Sequence, residues 1–114
     1  MDTFDELLVR VIDETIRYCL GDINASILYN YLEKKACPLD EIPGRLEVFS
    51  VELRNMLGFG ERQILGAAPI LEEAIARALC LKLKMPFDEK GPIAFADYVG
   101  RLRKAYSERE REGF

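Results

Sequence analysis

Apolar residues recur every three or four positions in five separate segments of this chain, and that spacing is the period of amphipathic α-helices. No segment alternates apolar and polar residues over the length of a half-buried strand. The chain has 114 residues, of which 49% are hydrophobic, and this suits one domain with a packed core. We therefore predict a single all-α domain over residues 1–114: a compact bundle of four to five helices with short connections that contain proline or glycine.

The first helix has the clearest pattern. Thr3 and Glu6 match a capping box, and Gly21 is a typical helix stop. Its core-facing positions follow the helical period: Phe4, Leu7, Leu8, Val11, Ile12, Thr15 and Cys19. Three further apolar residues widen the apolar arc to about 220°, against about 100° in an ordinary surface helix: Val9, Ile16 and Leu20. So wide an arc predicts a helix that is central in its own bundle or shared with a second chain.

Four more helices follow, separated by connections rich in proline and glycine. We predict them over residues 22–35, 45–57, 69–84 and 92–110. Residues 38–44 are expected to form a turn-rich connector, residues 61–68 are ambiguous between a helical turn and a loop, and residues 106–114 form a frayed, solvated tail. The inner face of the second helix is predicted to consist of Ile23, Ile27, Leu28, Tyr31 and Leu32.

The acidic residues of the helices have structural explanations. Glu72 and Glu73 are adjacent, so on a helix they point about 100° apart and cannot face one site. We interpret both as compensating the dipole in the first turns of the fourth helix. Spacings of four residues predict two exposed ion pairs in the first helix, Arg10 with Glu14 and Asp13 with Arg17.

The chain contains no histidine and three widely spaced cysteines, Cys19, Cys37 and Cys80. A Ser-His-Asp or Cys-His arrangement is therefore impossible, and a structural zinc site would need more ligands of these types than the chain has. We interpret the cysteines as buried thiols that pack as small hydrophobic groups, with one structural disulfide as the alternative. The sequence predicts no catalytic, cofactor-binding or metal-binding residue.

The negative charge is concentrated at the start of the chain. Residues 1–22 contain six acids and two bases, a net charge of −4, so the remaining fourteen acids and fourteen bases balance. A net negative chain is a poor partner for nucleic acid. Arg101, Arg103 and Lys104, with Tyr98 and Tyr106, form the one basic and aromatic cluster. This cluster is either a solvated end of the fifth helix or a contact for a phosphate backbone or an acidic partner, such as the first helix of another chain.

No run approaches the roughly 20 apolar residues that cross a bilayer. The first residues are acidic, whereas a signal peptide begins with positive charge. We expect a cytoplasmic protein with no membrane partner.

Four short motifs resemble a known family. In chain order they are Tyr29-x-Tyr31-Leu32-Glu33-Lys34-Lys35, Asp40-Glu41-Ile42-Pro43, Phe49-Ser50 and Phe95-Ala96-Asp97-Tyr98-Val99. Over roughly residues 5–105 the chain is similar to a small archaeal helical domain family, described as an output domain of Nitrosopumilus-type signalling proteins, with residues 59–65 as an insertion. The resemblance implies an all-α regulatory or interaction module, alone or fused to sensor domains, and no enzymatic activity.

The sequence thus predicts a non-enzymatic regulatory or protein-interaction module, without a cofactor, that forms a homodimer or binds another protein domain. The predicted interaction surface comprises Val9, Ile16, Leu20, Leu81, Tyr98, Arg101 and Tyr106. Two alternatives stay open. One is a small-ligand binder or enzyme that uses carboxylate and tyrosine groups in an interior pocket, and the other is nucleic-acid binding through the fifth helix.

Overall fold

Every regular element in the described part of the chain is helical. The computed structural model describes residues 2–57, 67–89 and 94–112. In chain order the elements are α1 (Thr3–Leu20), α2 (Asp22–Lys34), a 3-10 helix (Leu39–Gly44), α3 (Leu46–Leu57), α4 (Ala67–Leu83) and α5 (Phe95–Glu112). The prediction of an all-α bundle is confirmed.

The two ends of α1 are fixed by local hydrogen bonds. The Asp2 carboxylate accepts a hydrogen bond from the backbone N–H of Asp5 at 2.8 Å, so Asp2 is the N-cap and the prediction of Thr3 as the cap is wrong. At the other end Gly21 has a φ of +85°, which disfavours residues with a β-carbon. Its N–H donates to Arg17 and its carbonyl accepts from Ala25, so one glycine both ends α1 and begins α2.

α1 is the central helix of the bundle. It packs against α2, α4 and the 3-10 helix, while α3 packs against α4 and α5. Its buried residues cover the wide arc seen in the sequence: Phe4, Leu8, Val11, Ile12, Thr15 and Ile16. Most of that arc therefore serves the core of this chain. Cys19 is exposed in the last turn, so its prediction as a core residue is wrong, whereas Cys37 and Cys80 are buried and all three thiols are free.

α2 presents a different face to the core from the one predicted. Ala25, Leu28 and Leu32 are buried, while Ile23 is 80% exposed and Ile27 is about half exposed. At 100° per residue the two isoleucines point to the opposite side of the helix from Ala25 and Leu32. The predicted inner face was therefore wrong at Ile23 and Ile27, and α2 carries an apolar stripe on its outer side.

The connections also differ from the prediction. The segment expected to be turn-rich forms the 3-10 helix, with Ile42 and Pro43 buried. α4 begins at Ala67, two residues before the predicted start at Pro69, which moves Glu72 out of the first turn. α5 continues to Glu112, and residues 107–111 are exposed along its outer end. The predicted break at residues 58–60, the ambiguous residues 61–66 and the predicted start of the fifth helix at residue 92 lie outside the described residues.

Candidate interaction surface

Three large apolar side chains are the most exposed of their kind among the described residues: Tyr18 at 92%, Ile23 at 80% and Leu81 at 79%. They lie at the end of α1, at the start of α2 and near the end of α4. Single exposed apolar residues are ordinary on a protein surface, whereas an apolar patch shared by several elements indicates a binding site. The surroundings of each residue therefore decide its significance.

Tyr18 lines a groove between α1 and α4. The residues that line it lie between positions 11 and 19 of α1 and between positions 74 and 82 of α4, so the two helices run side by side for about two and a half turns. The groove has a volume of about 420 Å³. It is thus an extended surface made by two helices of the core.

The walls of this groove combine small residues with exposed apolar ones. Its helix-facing residues have short side chains: Val11, Thr15, Ala74 and Ala78. Leu81 follows Ala78 by three residues, so it extends the same face of α4. Small residues allow a further helix to approach closely, and Tyr18 and Leu81 offer the apolar area that such a helix would cover. We name Tyr18, the short residues above and Leu81 the α1–α4 groove.

Opposite charges flank the α1–α4 groove. Glu14 lies on the α1 side, while Arg77 and Lys82 lie on the α4 side. Arg77 is engaged within the chain, because it pairs with Glu73 at 3.2 Å. Within the described residues, Glu14 and Lys82 form no ion pair. The predicted pair between Glu14 and Arg10 is therefore wrong.

The predicted pair of Asp13 with Arg17 is confirmed at 2.9 Å. The Asp13 carboxylate also accepts a hydrogen bond from the Tyr29 hydroxyl at 2.7 Å, which ties α1 to α2. The pKa of Tyr29 is raised, mainly because the phenol is buried and secondly because it donates a hydrogen bond to Asp13. Asp13 thus faces α2, whereas the next residue, Glu14, lines the groove between α1 and α4.

The predicted surface residues of α1 do not all reach the surface. Ile16 is fully buried, so its assignment to an interaction surface is wrong. Val9 and Leu20 are partly buried, and Leu20 packs against the core cluster. The exposed apolar residue at this end of α1 is Tyr18, which the sequence-based surface omitted. The signal for it was available, since Tyr18 is four residues after Glu14 and therefore on an exposed face.

The predicted surface residues of α5 are engaged within the chain. Tyr98 is buried, so its assignment to an interaction surface is wrong. Its hydroxyl accepts a hydrogen bond from the backbone N–H of Asp88 at 2.8 Å and contacts the Cys80 sulfur at 3.7 Å. Burial is the main cause that raises the pKa of the Tyr98 phenol. Arg101 is exposed and pairs with Asp88 at 2.9 Å, and Tyr106 is partly buried.

The acidic first helix and the basic fifth helix meet in one chain. Arg103 pairs with Asp5, lies 3.8 Å from Asp2, and stacks its guanidinium over the Phe4 ring at 4.8 Å. The Phe4 ring also contacts Tyr106, with 5.6 Å between centroids. The sequence suggested this charge complementarity between two chains. The structure places it between α5 and the start of α1 in the same chain.

A buried ion pair joins α3 to α4. Glu72 has only 7% of its side chain exposed, and both of its oxygens accept from the Arg54 guanidinium, at 2.9 and 3.2 Å. The Ser50 hydroxyl donates to the same carboxylate. The interpretation of Glu72 as a carboxylate that compensates the helix dipole is thus wrong, because it forms a buried ion pair instead, whereas its neighbour Glu73 is exposed. The two carboxylates do point apart, as their adjacency required.

An open cleft of about 320 Å³ lies beside this ion pair. Among its lining residues, Arg54 and Glu72 supply the buried charge, and Phe87, Phe95 and Tyr98 supply aromatic surface. The Phe87 and Tyr98 rings are 5.4 Å apart. The cleft thus combines aromatic walls with a few polar groups, as small-molecule sites do.

The described residues carry no group of three or more His, Cys, Asp or Glu side chains arranged to hold a metal ion. No helix in the described part of the chain combines the length and the apolar character that crossing a bilayer requires. Comparison with known proteins finds no matching family model, no matching curated protein and no matching solved structure. The resemblance to the archaeal output-domain family stays a prediction from the sequence motifs.

Proposed function

We propose that this chain is a non-enzymatic regulatory or protein-interaction module that acts in the cytoplasm and associates with itself. The observation that carries the proposal is the α1–α4 groove, where Tyr18 and Leu81 are largely exposed beside small residues. Exposed apolar area of this kind gains free energy when another surface covers it, at about 25 cal/mol per Å². The buried Ile16 and Tyr98 are no part of this surface.

The ion pairs of the basic residues on α5 also support the proposal. Arg101 and Arg103 of α5 already pair with acids of the same chain, so of the three cations in the basic cluster Lys104 alone, within the described residues, is left for a phosphate backbone. This observation disfavours nucleic-acid binding through α5. The absence of histidine from the sequence removes the commonest general base near neutral pH.

The test is the molar mass of the chain in solution. Sedimentation equilibrium at tens of micromolar is expected to give a mass above the 13.0 kDa of one chain. A control at high dilution should return the monomer mass, because association follows mass action. A strict monomer over the whole range would contradict the proposal.

The cleft beside the buried ion pair favours a second candidate, binding of a small ligand. Its aromatic residues suit a flat ring, and the lining carboxylates of Glu73 and Glu89, which both pair with Arg77, would take a positively charged group by exchanging that partner. We therefore propose phenethylamine and related aromatic amines as probes. Millimolar probe should raise the melting temperature of the wild-type chain, and Ala76→Phe, which fills the cleft, should abolish the effect. No shift with any such amine would exclude this candidate.

A further inference from the structure

The charges beside the α1–α4 groove are arranged so that a second copy of the chain complements them. Glu14 lies on the α1 wall and Lys82 on the α4 wall, and within the described residues neither forms an ion pair. A surface that carries both signs, one on each side of an apolar strip, is self-complementary when it is turned over onto itself. This favours a second copy of the chain over a partner with a surface of a single sign.

The direction of the groove determines which two-fold axis brings opposite charges together. α1 and α4 run side by side along it. A two-fold axis parallel to both helices would place α1 of one copy on α4 of its partner, whereas an axis across the helices would place α1 on α1. Only the first arrangement brings each acidic wall against a basic wall.

We infer that two copies pair groove to groove about a two-fold axis parallel to α1 and α4, with α1 of each copy packed on α4 of the other. The inference rests on the proposed self-association and adds the surface and the geometry. The four helices then form an intermolecular bundle, whose close approach the alanines and Thr15 of the groove allow. Tyr18 and Leu81 become buried, and Glu14 of each copy faces Lys82 of the other.

Among the described residues the outer stripe of α2 is another exposed apolar face. Ile23 and Ile27 are exposed there, but both belong to one helix, and neither lines any of the grooves found among the described residues. The nearest charges, Asp22 and Arg17, already pair with each other at 3.2 Å. Glu33 and Lys34 at the end of α2 form no ion pair within the described residues, but they lie on one helix rather than on the two walls of a groove.

The first experiment compares three variants of the full chain by sedimentation equilibrium. Leu81→Glu and Tyr18→Glu should each weaken dimerisation by about 100-fold or more, because each places two charges in the contact. Ile23→Glu is the matched control, as exposed as Leu81 but outside the groove, and should leave the dissociation constant within about twofold. Circular dichroism should show wild-type helix content in all three.

The second experiment reverses the charges. Glu14→Lys and Lys82→Glu should each weaken the dimer about tenfold, and the double variant should recover most of the wild-type affinity. Neither substitution breaks an ion pair within the described chain, and circular dichroism of each variant checks that the fold is kept. A third readout is Cys19, which also lines the groove and whose reaction with a thiol reagent should slow as the dimer forms.

The outcomes separate this inference from the proposed function. A wild-type chain that stays monomeric overturns both. A wild-type dimer that survives Leu81→Glu and Tyr18→Glu, or that Ile23→Glu dissociates instead, overturns the groove pairing and leaves self-association intact. A double charge reversal no tighter than either single variant overturns the arrangement of α1 on α4.

Discussion

Replacement of Arg54 by methionine is expected to lower the free energy of unfolding by about 2–3 kcal/mol. Methionine keeps the apolar stem but removes both hydrogen bonds to the buried Glu72 carboxylate, which then keeps only the Ser50 hydroxyl. Each bond to a charged group contributes about 1.5 kcal/mol or more. Loss of one partner of a fully buried ion pair costs about 3–5 kcal/mol. Because the Arg54 side chain is 35% exposed, we expect a value below that range.

Thermal unfolding followed by far-ultraviolet circular dichroism measures this loss. A chain of this length has an unfolding entropy of about 0.24 kcal/mol/K, so the melting temperature should fall by about 10 °C. The control is Glu73→Gln, which removes the neighbouring carboxylate and its exposed ion pair with Arg77. It should change the stability by less than about 0.5 kcal/mol. Equal losses in the two variants, or a fall of less than about 2 °C for Arg54→Met, would refute the argument from burial.

A double variant identifies the cause of the loss. If Arg54→Met destabilises the chain by stranding the Glu72 carboxylate, then Arg54→Met with Glu72→Met should recover at least half of the lost stability. Additive losses in the double variant would show that the cause is lost packing around Arg54 instead.

Further predictions concern α2, Tyr98 and Cys19. Leu28→Ala should cost about 3 kcal/mol in urea denaturation and Ile23→Ala less than about 0.5 kcal/mol, because only Leu28 is buried; similar losses would contradict the assigned faces of α2. The pKa of Tyr98 is raised, mainly by burial, so its contribution to stability is complete below about pH 10 and falls as the pH rises through the raised value. Tyr98→Phe should therefore reduce the alkaline loss of stability, and an unchanged profile would count against this. In dilute native protein a thiol reagent should modify Cys19 alone, and Cys19→Ser should abolish the reaction until the chain unfolds; a second native thiol would contradict the burial of Cys37 and Cys80.

The helices could be predicted because their apolar period is strong, but the face that each one buries was harder to predict. α2 carries apolar residues on both sides, since Ile23 and Ile27 lie opposite Ala25 and Leu32. Alanine contributes little to a hydrophobic pattern, so the isoleucines determined the predicted face. α1 and α2 meet at Gly21, and the spacing of residues does not show which side of α2 this corner turns toward α1.

The buried charge was missed for a related reason. Glu72 follows Ala68 by four residues and precedes Ile75 by three, so the period itself places it on the buried face of α4. Its position near the start of the helix nevertheless favoured an interpretation as dipole compensation, and buried carboxylates are rare without a partner. That partner, Arg54, is 18 residues away on α3, and a single sequence carries no signal that connects the two.

The tie between the start of α1 and Arg103 has a consequence for how the chain is made. Arg103 follows Asp5 by 98 residues. At a synthesis rate of about 5–20 residues per second, Asp5 waits about 5–20 seconds for its partner to be translated. α4 is also translated well after α1, and until then the central helix of the bundle has only α2 and the 3-10 helix to cover it. Nascent chains that end before α4 should therefore be the ones that recruit chaperones.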